Sequence, residues 1–110
     1  MLKGCVTIII FGNGRIISLD NNVLTDFSYG NIEIKYFEFK PANGDLQKKK
    51  IGYTLSLFVE DAISLVNSIS GIRSFICEIF DGERYLINNC IIETSDDDYI
   101  IFEFEEYKKI

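Results

Sequence analysis

The stretch Ile51-Gly52-Tyr53-Thr54-Leu55-Ser56-Leu57-Phe58-Val59-Glu60, followed directly by Asp61-Ala62-Ile63-Ser64-Leu65-Val66-Asn67-Ser68-Ile69-Ser70, carries two periodicities back to back. In the first part Ile51, Tyr53, Leu55, Leu57 and Val59 alternate with Gly52, Thr54, Ser56, Phe58 and Glu60, the period-two pattern of a strand. In the second part Ala62, Leu65, Val66 and Ile69 fall at i, i+3, i+4 and i+7, the stripe of an amphipathic helix. Glu60 and Asp61 stand at the helix start, where the dipole favours anions. Gly71 stands where a glycine past the C-terminus is expected. A helix this short is marginal alone in water and must pack on a sheet.

Upstream, residues 6–11 (Val-Thr-Ile-Ile-Ile-Phe) read as a strand. Gly12-Asn13-Gly14 supplies residues that accept positive φ, so the spacing predicts a tight hairpin with 15–19 as the returning strand. Asp20-Asn21-Asn22 reads as a turn, 23–29 as a weaker extended segment, and Gly30-Asn31 as a break. From Ile32 onward Ile32, Ile34 and Tyr36 alternate with Glu33 and Lys35. The phase then changes at Tyr36-Phe37, which predicts a β-bulge or a strand covered on both faces. Residues 41–50 form the main polar loop.

Downstream, 73–80 reads as a strand and Asp81-Gly82 as a hairpin turn, with 84–93 pairing back. Thr94-Ser95-Asp96-Asp97-Asp98 is an acidic turn, and 99–106 is the last strand. The expectation is one α+β domain over 1–110, mainly antiparallel β. It has two packed sheets, sandwich- or barrel-like, and one short flanking helix near 61–70.

The 110 residues are 47% apolar, 25% charged and 14% aromatic, a globular composition. The formal charge of −6 makes non-specific binding to nucleic acid unfavourable. The absence of His excludes His-based triads, bases and metal ligands within the chain. Cys5, Cys77 and Cys90 sit in apolar runs without a CxxC pair, which reads as reduced core thiols in a reducing compartment. No apolar run approaches the roughly 20 residues of a membrane span, and no signal peptide is evident.

Little else points to chemistry. Gly12-Asn13-Gly14 lacks the third glycine and following helix of a dinucleotide fingerprint. Asp96-Asp97-Asp98 lacks the glycine and distal Glu of a calcium loop. Lys48-Lys49-Lys50 reads as a solubilising segment or a contact for an anionic partner. The serines have no His partner. The reading is therefore not an enzyme, with no cofactor and no metal. Long apolar strands such as Ile8-Ile9-Ile10 and Ile100-Ile101-Phe102 need more cover than one helix supplies, which points to self-assembly.

The order from Gly52-Tyr53-Thr54-Leu55-Ser56 into the helix, then a strand, the Asp81-Gly82 hairpin, Tyr85-Leu86-Ile87-Asn88-Asn89-Cys90, the acidic turn and Ile101-Phe102-Glu103-Phe104-Glu105 resembles the tail tube proteins of contractile-tailed, Mu-like phages. The type VI secretion tube shares their fold. The resemblance implies six subunits joined sheet edge to sheet edge in a hexameric ring. Such rings stack within a sheath into a virion tail tube that conducts DNA as cargo. Assembly would take place in the host bacterial cytoplasm, with sheath and baseplate proteins as further partners and no membrane insertion. It would place Ala42, Asn43, Gly44, Asp45, Leu46, Lys48, Lys49 and Lys50 at the contact with the next ring. Glu33, Lys35, Thr54 and Ser56 would lie at an acidic lumen wall, and Leu65, Val66 and Ile69 would pack the helix against its own sheet. The alternatives are an initiator or terminator ring protein of the same fold, and a small acidic inhibitor-like module that binds another protein.

Overall fold

In the computed structural model, which describes residues 2–110, the strand-to-helix stretch lies between two antiparallel sheets. Met1 of the expected domain lies outside the described residues. The elements are β1 (Leu2–Phe11), β2 (Gly14–Ile17), β3 (Val23–Phe27), β4 (Tyr29–Phe39), β5 (Gln47–Phe58), α1 (Ala62–Ser68), β6 (Phe75–Ile79), β7 (Arg84–Asn88), β8 (Ile91–Ser95), β9 (Tyr99–Phe104) and β10 (Glu106–Lys109). The first sheet has the order β1-β4-β5-β9-β8 and the second β10-β7-β6-β2-β3. The fold is α+β with two antiparallel sheets and one short helix, as the periodicities predict.

The strand signals at both ends of the chain are bent rather than interrupted. β1 pairs with β4 in the first sheet and β2 with β3 in the second, yet one register runs through both: Phe11 faces Gly30 and Gly14 faces Phe27. Gly12-Asn13-Gly14 is therefore a corner and not the expected hairpin turn, and neither glycine has a positive φ. The chain reverses later, where the Ser18 N–H donates to the Asn22 carbonyl at 2.8 Å and Asn21 adopts φ 69°. Gly14 is required for closeness: a Cβ there would overlap the carbonyl oxygen of Glu78 on β6. Gly30 does not break the chain but lies inside β4, where a Cβ would overlap the Phe11 ring.

A second ribbon repeats the device. β7 pairs with β10 in the second sheet and β8 with β9 in the first, with Asn88 facing Glu106 and Ile91 facing Glu103. The expected strands 84–93 and 99–106 are thus each divided between sheets. Asn89 (φ 53°) forms one bend, and at Glu105 the other strand crosses, its N–H donating to the Asn88 carbonyl at 3.3 Å. Strands that change sheet in this way make the corners of a barrel-like sandwich. The Asp81-Gly82 hairpin forms as expected, joining β6 to β7.

β5 and β6 are the middle strands, each between the two ribbons, and α1 connects them. Asp61 caps the helix, its carboxylate accepting from the Ser64 N–H at 3.1 Å and the Ser64 hydroxyl at 2.8 Å. These bonds hold its pKa below the ordinary 3.8. The helix is shorter than the expected 61–70 because Ile69 already serves as its C-cap. Leu65 and Ile69 are buried, and Val66 packs half-buried against the core. The centre of that core is the Phe75–Phe102 pair, 5.2 Å between ring centroids, among Ile16, Ile32, Leu55, Leu57, Ile87 and Ile100.

The two sheets differ in length. β4 and β5 have 11 and 12 residues, whereas β2 and β6 have 4 and 5. β9 follows β5 only from Tyr53 to Phe58, so residues 47–52 pair with β4 alone. The result is an arm of β1, β4 and β5 that accounts for an elongated molecule of 52 × 27 × 23 Å. The expected loop over 41–50 is shorter, because Lys48, Lys49 and Lys50 belong to β5, opposite Glu38, Phe37 and Tyr36. The expected phase change is a bulge on the partner strand. Lys35 faces Gly52 and Tyr36 faces Lys50, which leaves Ile51 extra and 45% exposed. Phe37 and Phe39 thereby occupy the face opposite Tyr36.

Two outcomes test this description. Gly14→Ala costs about 1–3 kcal/mol by overpacking the corner, whereas Gly12→Ala, with open space around its Cβ, changes stability by less than about 0.5 kcal/mol. Equal losses in denaturant melts would contradict the bent ribbon. A depressed carboxyl pKa stabilises the fold fully above the unfolded value of 3.8, and that contribution vanishes as pH falls through the lower folded value. The melting difference between wild type and Asp61→Ala is therefore present at neutral pH and closes on acidification.

Candidate assembly surface

Each sheet ends in two edge strands, β1 and β8 in the first, β10 and β3 in the second. Helix α1 packs along β3 and β8 and covers that side. The longest edge, β1, is left open. It pairs with β4 from Leu2 to Phe11, interrupted only by a bulge between Thr7 and Ile9. No strand pairs with its other margin among the described residues. Its side chains Val6, Ile8 and Ile10 are 46%, 37% and 65% exposed. Open backbone donors and acceptors beside apolar side chains form a template for another strand.

The outward face of the first sheet gathers the residues expected at a lumen wall. Glu33 faces Thr54, Thr54 faces Glu103, and Ser56 lies between Asn31 and Ile101. Lys35 forms ion pairs with Glu93 at 3.3 Å and with Glu103. Its hydrogen bond to Glu103 raises the ammonium pKa, so Lys35 stays charged. Thr54 lies on this face between Glu33 and Glu103 but is only 6% exposed. Towards the first corner the same face turns aromatic, with Phe58 5.9 Å from Tyr29 and 6.2 Å from Tyr99 between ring centroids. The alternation of 51–60 put Phe58 on this face, but its aromatic neighbours come from distant strands that only the register reveals.

The residues expected at a ring-to-ring contact lie on the arm. Ala42, Asn43, Gly44, Asp45 and Leu46 form its tip, and the lysines lie on its strand. Lys48 pairs with Glu38 at 3.7 Å and sits 4.7 Å above the Tyr36 ring. Lys50 sits 4.5 Å above the Tyr53 ring and donates to its hydroxyl at 3.0 Å. At the root of the arm a cleft of about 450 Å³ is lined by Cys5, Lys35, Tyr36, Tyr53, Arg73 and Glu103. The strand expected over 73–80 would open at Arg73, but β6 starts at Phe75 and Arg73 lies in the connection from α1. Among the described residues, no group of three His, Cys, Asp or Glu is placed to hold a metal ion.

The cysteines divide by position. Cys77 and Cys90 are buried as expected, and burial pushes the Cys77 thiol up to about 12. Cys5 is exposed instead, because its place on β1, opposite Lys35, turns it outward. Desolvation and the nearby Glu33 carboxylate raise its pKa.

These features define the chain as a barrel-like antiparallel sandwich with a helix-covered side, a long open edge at β1 and a projecting arm. No family model, no curated protein and no solved structure matches it. Titration with a chromogenic disulfide reagent checks the exposed face. One thiol reacts in the native protein, slowly at neutral pH because the Cys5 thiolate is scarce, and three react in denaturant. A native Cys5→Ser variant that still releases chromophore would contradict the assignment.

Proposed function

We propose that this chain is a structural subunit that self-assembles through its strand edges, in the manner of a phage-like tail tube. The observation that carries the reading is the open β1 edge, ten residues long with apolar side chains exposed along it. Pairing this edge with an edge strand of a neighbour extends the first sheet from subunit to subunit, and a closed ring removes every free edge. The outward face bearing Glu33, Lys35, Glu103 and Ser56 then becomes a continuous wall. Its acidic balance suits passage of DNA as an unbound cargo. The arm reaches beyond the sandwich, where a stacked hexameric ring would meet it. In this reading the protein works in a virion tail, next to sheath and baseplate proteins, and performs no catalysis. An initiator or terminator ring differs only in whether stacking continues.

Ile10→Lys tests the edge. The side chain is 65% exposed, so stability changes by less than about 0.5 kcal/mol. Light scattering and negative-stain images nevertheless change from channelled rings or tubes to monomers. A wild-type protein that remains monomeric, or a variant that assembles unchanged, removes the support for edge assembly and favours the acidic binding module.

A further inference from the structure

Charge is distributed unevenly along the long dimension. The arm over residues 36–50 holds four lysines against Glu38 and Asp45, net +2, so a formal total of −6 leaves −8 for the rest of the chain. Lys40 and Lys49 are exposed and have no carboxylate within ion-pair distance among the described residues. The opposite end is the first corner, reached along β5, whose 12 residues span about 40 Å at the rise of a strand. There a groove of about 490 Å³ is lined by Phe27, Phe58 and Phe80, with Asp26, Glu60 and Asp98 at its rim. Phe58 and Phe80 are 44% and 55% exposed. Glu60 and Asp98 are exposed, and no described Lys or Arg lies within ion-pair distance of either. Asp26 differs, since it lies opposite Arg15 on the neighbouring strand.

We infer that the corner groove of one copy receives the arm of a second copy, head to tail. Leu46, 62% exposed at the arm tip, enters between Phe58 and Phe80, while the lysines of the arm meet Glu60 and Asp98. Arg15 sits 5.6 Å above the Phe80 ring, with its charge paired to Glu78 at 3.0 Å. Glu60 and Asp98 carry the unpaired charge of this end, so one chain holds both an acidic, apolar corner and a basic, apolar arm. Because the surfaces are different and lie at opposite ends, the contact is heterologous and propagates along the axis instead of closing as a dimer. The inference rests on the proposed tube reading for its axial direction, and it names the surface on which the arm would land. Occupation by a basic peptide of another protein is the competing outcome, and the test separates it.

The test is a charge exchange. One variant carries Glu60→Lys and Asp98→Lys, and the other carries Lys48→Glu, Lys49→Glu and Lys50→Glu. Thermal melts confirm that both fold. Each variant alone sets like charges against each other, which weakens axial association roughly ten-fold or more in sedimentation velocity at low salt. Mixed in equal amounts, the reversed corner of one meets the reversed arm of the other, and axial association returns. Wild-type association weakens as salt rises, since the pairs are exposed. Negative-stain images distinguish the two readings. Rings that stop stacking in each variant and stack again in the mixture support both. Single-file chains without a channel, with the same loss and rescue, support the head-to-tail contact and reject the ring. Wild-type monomers at low salt, variants that stack unchanged, or a mixture without rescue overturn the contact. In those cases binding of a lysine-rich peptide that is lost with Glu60→Lys and Asp98→Lys would assign the groove to a different protein.

Discussion

The structure depends on two antiparallel ribbons, each bent so that it supplies strands to both sheets. Register is unbroken across each bend, from Phe11 and Gly30 to Gly14 and Phe27, and from Asn88 and Glu106 to Ile91 and Glu103. Bending requires that backbones approach closely, which explains Gly14 against the Glu78 carbonyl and Gly30 against Phe11. With the ribbons in place, β5 and β6 each find a partner on both sides, and α1 covers the side where β3 and β8 end. Only β1 and β10 on the other side are left without such cover.

The parts of this arrangement visible in the sequence are the local ones. The change of period at Glu60-Asp61 marks the junction of β5 and α1, because burial on one face acts residue by residue. The Asp81-Gly82 turn is equally local. The corners are not, because a strand that changes sheet keeps its extended backbone and leaves no break in periodicity. Gly12-Asn13-Gly14 has the composition of a hairpin turn, but Gly14 is there for lack of space and not for a positive φ. Asn89 and Glu105 likewise lie within apolar runs that read as single strands.

The candidate surface was legible in kind more than in detail. Alternation places Glu33, Lys35, Thr54 and Ser56 on one face, and the register confirms it. Burial of Thr54 and the ion pairs of Lys35 arise from β8 and β9, far away in sequence. The lysine run looked like loop because it is polar, whereas pairing with Glu38, Phe37 and Tyr36 holds it extended. Cation–π contacts with Tyr36 and Tyr53 give Lys48 and Lys50 defined positions on the arm.

Continuity of register across the bends also bears on how such a topology is reached. β1 and β4 are distant partners by residue count, yet they belong to a hairpin that closes between Ser18 and Asn22. Each further pair zips onto the one before it, so the entropy of a large loop is never lost in a single step. The second ribbon closes in the same way through the short turn after Ser95. What looks like a high-contact-order β fold is, for both ribbons, a ladder that starts from a short local turn. The long-range ladders that remain are β5 with β9 and β2 with β6, which join the two ribbons to the β5–α1–β6 segment.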